Sequence, residues 1–496
     1  MRLVTHWTTD LRYKKYDEWS KDYYYFLKQS VSNSEWRLSY HIQPLTGLLN
    51  DPNGFSFFNN RWHLFYQSYP YGPVHGIKSW HHLTSTDLVH WIDENEHLLP
   101  DSNYDSHGVY SGSAILVDQN LFIAYTGNVR NKEWERESYQ LGALMNNDGQ
   151  ITKIRQPLIT EAPNGYTSEF RDPQLIQCKD AYYIVIGAQN NQLQGKVLTY
   201  KSTDLKNWEC LGELIFSDLP LGFMIECPNL VFIDEKPVLL FCPQGLDRNI
   251  CSYDNIYPNS YVLAEDFDIR KNKLINVSAP VNLDEGFDVY ATQAFNAPDG
   301  RVLSIGWFGL PEITYPTDKF GWAHCLTIVK ELIIEDDKLI QRPVAEMKEL
   351  RETCHPSSGE LDSSATKLYQ VDKNCYELEL NFEEGAIGTL SLFANENLSK
   401  KIDIAFDTKN GKMTVNRKLA GESFATEYGT ERMVTIDKGQ LSLQIFVDES
   451  TVEVFINHGK KVVSSRVFPG SNQTNIFLQG NQKQFTGKLW KLNSIE

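Results

Sequence analysis

The hydrophobic rhythm of the chain changes twice. Over residues 1–36, Leu11, Trp19, Tyr23, Phe26 and Leu27 recur among Lys, Asp and Glu at rough helical spacing, and Gly is absent. This predicts a short N-terminal helical extension, one amphipathic helix packed on the outside of the adjoining domain. From Arg37 onward the pattern turns to short alternating apolar runs broken by Gly, Pro, Asn and Asp, an all-β signature. Past Gln341, RPVAEMKELRE reads as a short helical linker, and alternation then resumes in CYELELNF and STVEVFINHG. The expected organisation is an extension over 1–36, a β domain over 37–342, a linker over 343–353 and a β-sandwich over 354–496.

The first β region repeats itself. Residues 85–91 read STDLVHW and residues 202–208 read STDLKNW. A second series recurs roughly every sixty residues. NDPNGF precedes RWHLFYQ, YSGSAI precedes NLFIAYTG, FRDPQL precedes AYYIVIGAQ, IECPNL precedes PVLLFCPQ, and YATQAF precedes RVLSIGWFG. Each unit is expected to open with a short strand, turn, and continue into a buried strand. Five such units fit a five-bladed β-propeller, whose innermost strands line one channel. Asp51, Asp172 and Glu226, at matched positions of their units, then become neighbours at one mouth of that channel. The plainer reading of Asp51 is a turn residue, because Asn-Asp-Pro-Asn-Gly is dense in turn formers. Glu226, before Cys227 and Pro228, suits that reading poorly.

Composition narrows the partners. The formal net charge of -17 argues against nucleic acid and anionic membrane surfaces, though not against a small phosphorylated ligand in a local basic pocket. The 12% aromatic content suits an all-β fold and a sugar site. The eight cysteines are scattered without metal spacing, which predicts reduced thiols and no metal or other cofactor. The start, MRLVTHWTTDLRYKKYDEW, lacks an apolar core and a cleavage site, so a cytoplasmic protein is expected. No apolar run is long enough to span a membrane. Oligomeric state stays open, and a homo-oligomer is compatible with the chain.

Paired carboxylates without metal-ligating histidines suit glycoside hydrolysis, in which one acid attacks and another protonates the leaving group. Crowding separates the pKa values that those two roles need, and Arg171 is expected to keep Asp172 ionised.

The motifs NDPNG, FYQ, YSGSA, FRDP, ECP and STVEVFINHG resemble those of glycoside hydrolase family 32, the β-fructofuranosidases, and they span both β domains. The resemblance implies a five-bladed propeller followed by a β-sandwich, and retaining hydrolysis of a terminal β-fructofuranosyl group. It implies Asp51 as nucleophile, Glu226 as general acid/base and Asp172 as the residue that holds the fructosyl hydroxyls. It places Asn50, Gln67, Tyr110, Ser111 and Arg171 at the sugar, Leu48 and Leu49 where many members carry Trp-Met, and Trp80 and Trp307 on the pocket wall. Blade-to-blade packing is the plainer reading of these two tryptophans.

Five positions depart from the common pattern: Leu48 and Leu49, His75 before Gly76, Asn229 after ECP, and Glu449 after Asp448. VHGIKSW and MIECPNLVF resemble a cytoplasmic branch of the family that cleaves sucrose 6-phosphate to glucose 6-phosphate and fructose. His75 and Lys78 would then make the rim more polar and positive for a phosphate on the leaving group, or else be solvated loop residues. Two alternatives stay open: an intracellular exo-β-fructosidase for short fructo-oligosaccharides, and a non-catalytic sugar-binding propeller.

Overall fold

The structure, a computed structural model, describes residues 2–495. Met1 and Glu496, at the outer ends of the expected extension and sandwich, lie outside the described residues.

Five sheets, antiparallel except for the short parallel pairing of Gly47-Leu48 with Trp322-Ala323, are arranged around one axis. Their innermost strands are Gly47–Phe58, Val109–Val117, Tyr166–Cys178, Met224–Ile233 and Val289–Asn296, the five segments that carry the repeat. Each packs against the next, and the fifth packs against the first. This is the five-bladed propeller expected. Blade five closes on blade one through residues 321–326: Gly47 N–H donates to the Gly321 carbonyl, and Leu326 N–H to that of Ile42.

The NDPNG segment does not turn. It lies within the single twelve-residue strand Gly47–Phe58. Leu49 pairs with Ser68 and Pro52 with Tyr66, so Asn50 and Asp51 together oppose Gln67 in a β-bulge. Past Leu48, where its short parallel pairing with Trp322-Ala323 ends, this strand has a hydrogen-bonded neighbour on one side only. Pro52 can therefore lack its N–H there without breaking a ladder. The other blades bulge at the matching place: Tyr110-Ser111, Asp172-Pro173, Cys227-Pro228 and Ala291-Thr292 each oppose one residue. Asp172, Cys227 and Ala291 adopt positive φ of 70°, 48° and 47°, a left-handed conformation that costs a non-glycine residue about 1–2 kcal/mol.

A belt of polar side chains sits just past the bulges and ties each blade to the next. Asn53 accepts from Gly112 N–H, Ser113 from Leu175, Gln174 from Leu230, Asn229 from Ala294 and Gln293 from Phe55. All five are buried, and the last bond returns to the first blade. The STDL repeat also has a local cause. Asp87 and Asp204 each accept two backbone N–H groups in the turn before the fourth strand of blades one and three.

The N-terminal extension is not one continuous helix. The helix Lys21–Ser32 buries Tyr23, Leu27 and Val31, whereas Leu11 and Trp19 lie in short turns before it. Trp19 stacks on Tyr71 at 4.9 Å, holding the extension against a loop of blade one.

The C-terminal part is two six-stranded sheets enclosing one hydrophobic cluster. The strand Arg351–Glu360 comes directly after a 3-10 turn, Ala345–Leu350. The sandwich grips the start of the propeller through buried Asp448, which accepts from the N–H groups of Ser39, Tyr40 and His41 at 2.7, 2.9 and 3.1 Å. The His41 ring bridges Asp448 and Glu453, and Glu453 also pairs with Lys330 at 3.0 Å. Burial alone would strip the His41 proton, but the two carboxylates outweigh it and raise the pKa.

Candidate active site

The bulges decide which side chains meet. The residue just before the bulge in blades three, four and five is Arg171, Glu226 and Tyr290. These three converge. Arg171 donates to Glu226 Oε1 through Nε at 3.0 Å and Nη2 at 2.9 Å, and Tyr290 donates to Oε2 at 2.7 Å. Gln244 adds a fourth bond, to Oε2 at 2.8 Å. Glu226 is thus one residue out of step with Asp172, whose counterpart in blade four is Cys227. Asp51 is out of step the other way, second in its bulge where Asp172 is first, so the three acids hold three consecutive positions rather than the equivalent ones expected.

The offset brings the acids together by another route. Cys227 N–H donates to Asp172 Oδ2 at 3.0 Å. Its Sγ lies 3.7 Å from both Asp172 Oδ2 and Asp51 Oδ2. Asp51 and Asp172 therefore flank one thiol, and Glu226 is the preceding residue in the chain.

A hydrogen-bonded set fixes Asp51. Ser111 Oγ donates to Oδ2 at 2.5 Å and Asn50 Nδ2 to Oδ1 at 3.0 Å. Gln67 donates to Ser111 and accepts from Asn50, at 2.6 and 2.9 Å. Lys78 Nζ donates to Asn50 Oδ1 at 2.6 Å. Burial pushes the Asp51 carboxyl up, the Ser111 bond opposes it, and the charge of Glu226 adds to the rise. Asp172 is raised mainly by burial as well, against the pull of Arg171. Arg171 thus does not hold Asp172 at an ordinary carboxylate pKa. Its guanidinium is spent on Glu226 and Glu169.

Several expected contacts are relocated. Trp80 and Leu49 are wholly enclosed, and Leu48 and Trp307 nearly so, each at 2% exposure. Trp80 packs on Phe65 and Tyr125 and donates its indole N–H to the Tyr110 carbonyl, so it is a joint between blades rather than pocket wall. Trp307 donates to His324 Nδ1 at 2.9 Å and meets Tyr290 edge-on. His75 and Lys78 do not form a positive rim. Lys78 is 3% exposed, and burial pulls its pKa down to about 7. Burial also drives His75 well below its ordinary value, leaving the ring neutral, edge-on to Trp307 at 5.8 Å.

Tyr290, Gln244 and Glu169 lie outside the acid motifs, and Cys227, inside ECP, carries no mark there of its contact with Asp51 and Asp172. Tyr290 is within reach of the repeat, because it opens YATQAF at the place where Arg171 and Glu226 stand in their own units. Gln244 carries no such signal.

The arrangement offers a fixed carboxylate beside two others in a pocket built from backbone bulges, which suits nucleophilic substitution at a sugar carbon with acid assistance. Comparison with known proteins agrees. The model of the glycosyl hydrolases family 32 N-terminal domain matches residues 41–343, and that of the family 32 C terminal matches residues 346–493. A sucrose-6-phosphate hydrolase of Pediococcus pentosaceus is 45% identical, with 99% of this chain and 97% of that protein covered. The solved structure of sucrose-6-phosphate hydrolase from Lactobacillus gasseri is 44% identical with a TM-score of 0.95, covering 99% of this chain and all of that one. A family 32 β-fructofuranosidase of Bombyx mori, a mutant solved in complex with sucrose, is 30% identical with a TM-score of 0.80, covering 96% and 97%. Both β parts, matched end to end, place the chain in glycosyl hydrolase family 32, and it is a glycosidase.

Proposed function

We propose that the protein is a retaining β-fructofuranosidase that hydrolyses sucrose 6-phosphate, and sucrose as well, to fructose and glucose 6-phosphate or glucose. The observation that carries this is the shared contact of Asp51 and Asp172 with Cys227, directly beside Glu226. The names of the relatives supply the substrate class.

Asp51 attacks the anomeric carbon of the fructosyl ring while the bond to the glucosyl oxygen breaks. Glu226 gives that oxygen its proton, so glucose 6-phosphate leaves neutral at that position. Glu226, now ionised, takes a proton from water, which displaces Asp51 and releases fructose with its configuration retained. Asp172 is the acceptor for fructosyl hydroxyls. Asn50, Gln67, Ser111 and Lys78 hold Asp51 in line. The eight cysteines are unpaired, which suits a reducing compartment such as the cytoplasm.

The reading is tested by kcat/KM for fructose release from sucrose 6-phosphate, sucrose and kestose. Sucrose 6-phosphate is expected to be the best of the three. A preference for kestose would favour a fructo-oligosaccharide exo-fructosidase, and binding without fructose release would remove the catalytic assignment. Because Lys78 touches Asn50 inside the nucleophile's hydrogen-bond set, Lys78→Ala is expected to lower kcat/KM about tenfold on sucrose 6-phosphate and on sucrose alike. A loss confined to the phosphorylated substrate would return Lys78 to a phosphate role.

A further inference from the structure

We propose that Arg130 and Arg136, at the root of the hairpin between the second and third strands of blade two, form the subsite for the phosphate on the leaving glucosyl group. The proposal rests on the phosphorylated-substrate reading above.

The two arginines stand directly opposite each other across the antiparallel pair Asn120–Arg130 and Arg136–Met145. Like charges in facing cross-strand positions repel, and the arrangement is favoured only when an anion lies between or above them. The protein supplies half of one. Arg136 Nη1 pairs with Glu169 Oε2 at 2.6 Å. Among the described residues no carboxylate lies within ion-pair distance of Arg130, and its Nη1 reaches only the Trp134 carbonyl at 3.3 Å. The Nε–H of both guanidinium groups is buried without a hydrogen-bond partner. Buried donors of this kind call for an acceptor.

Their position fits a leaving-group site. Arg136 lies over the Tyr110 ring at 5.9 Å, and Tyr110 precedes Ser111, which holds Asp51. Glu169 bridges Arg136 to Arg171, which holds Glu226. The pair therefore stands on the side of the pocket where the proton-donating carboxylate meets the departing oxygen. The hairpin tip is anchored there, with Trp134 packed edge-on against Tyr13 at 5.2 Å and His107 at 5.6 Å.

The other cations nearby are committed. Lys78 is buried on Asn50, His75 is neutral, and Arg12 is bonded to the carbonyls of Trp7 and His75. A phosphate monoester brings close to two negative charges and three acceptor oxygens, which the planar fork of arginine matches better than a point charge does. With a net charge of -17 on the chain, such local cations are what make a sugar phosphate welcome.

Arg130→Gln is the cleaner variant, because Arg136→Gln would also release Glu169 onto Arg171. In Arg130→Gln, kcat/KM for sucrose 6-phosphate is expected to fall roughly 10- to 100-fold further than kcat/KM for sucrose. Arg130→Lys is expected to recover part of the difference. Turnover of sucrose in each variant reports that the fold and the carboxylates are intact. A wild-type preference for the phosphorylated substrate that survives in Arg130→Gln overturns the subsite alone. Equal wild-type kcat/KM on both substrates overturns the phosphorylated-substrate reading, and the subsite with it.

Discussion

Replacing Asp51 with Ala is expected to lower kcat on sucrose 6-phosphate by about four orders of magnitude or more while leaving a folded protein. Nothing else in the pocket can take over the attack. Asp172 accepts from the Cys227 backbone, and both oxygens of Glu226 already accept two hydrogen bonds each, which fix it away from the attacking position. The stability of the variant carries its own signature. In the folded protein the Asp51 carboxyl is raised above the ordinary aspartate range, chiefly by burial. Between the unfolded and the raised pKa the native state binds more protons than the unfolded one, so this group costs stability as pH rises. The difference in Tm, variant minus wild type, should therefore move in favour of Asp51→Ala as pH rises from about 4 through the raised pKa, and then level off. Kinetically, kcat/KM of the wild type should fall on the acid side as Asp51 gains its proton. Activity of Asp51→Ala within about tenfold of wild type would end the nucleophile assignment.

Glu226→Ala is expected to cost about 10³ in kcat/KM on sucrose, within the range for lost general acid/base help. Much of that loss should vanish on a β-fructofuranosyl fluoride, whose departing ion needs no proton. The glycosyl-enzyme step would then proceed, and the slow step would become attack by unassisted water. Glu226→Gln separates geometry from proton transfer, since its carbonyl oxygen can still accept from Arg171. If Glu226→Ala loses as much on the fluoride as on sucrose while Glu226→Gln keeps its activity on both, Glu226 is holding Arg171 rather than moving a proton.

The propeller is legible in the sequence because its repeat has a physical cause. Each innermost strand needs apolar residues toward its neighbours, a bulge toward the channel, and a polar side chain just beyond it to tie on to the next blade. Asn53, Ser113, Gln174, Asn229 and Gln293 are that last element, and they recur at the repeat spacing. The bulge itself is not legible. Its residues differ from blade to blade, and where they are Asn, Asp, Ser or Pro they are types that also build turns, so NDPNG reads as a turn. A one-residue slip within a bulge moves Glu226 out of step with Asp172 and brings it to Arg171 and Tyr290. Burial of the cations is invisible for a similar reason. Lys78 reads as a loop charge until Asn50 and the roof formed by the N-terminal extension are in place, with Ile77 N–H bonded to the Arg12 carbonyl at 2.8 Å. Trp80 and Trp307 show why a large apolar residue near a motif settles little. A pocket wall and a blade joint demand the same side chain.

The polar belt also governs traffic. A cavity of about 650 Å³ opens from the far end of the axis and is lined by Ser113, Gln174 and Gln293, but by none of Asp51, Asp172 or Glu226. The axis is thus a cul-de-sac rather than a corridor. Sugar enters and both products leave through one doorway, so glucose 6-phosphate must clear it before water can reach the fructosyl-enzyme. Any sugar hydroxyl waiting in that doorway competes with water for the fructosyl group. The choice between hydrolysis and transfer is then set by how fast the doorway empties.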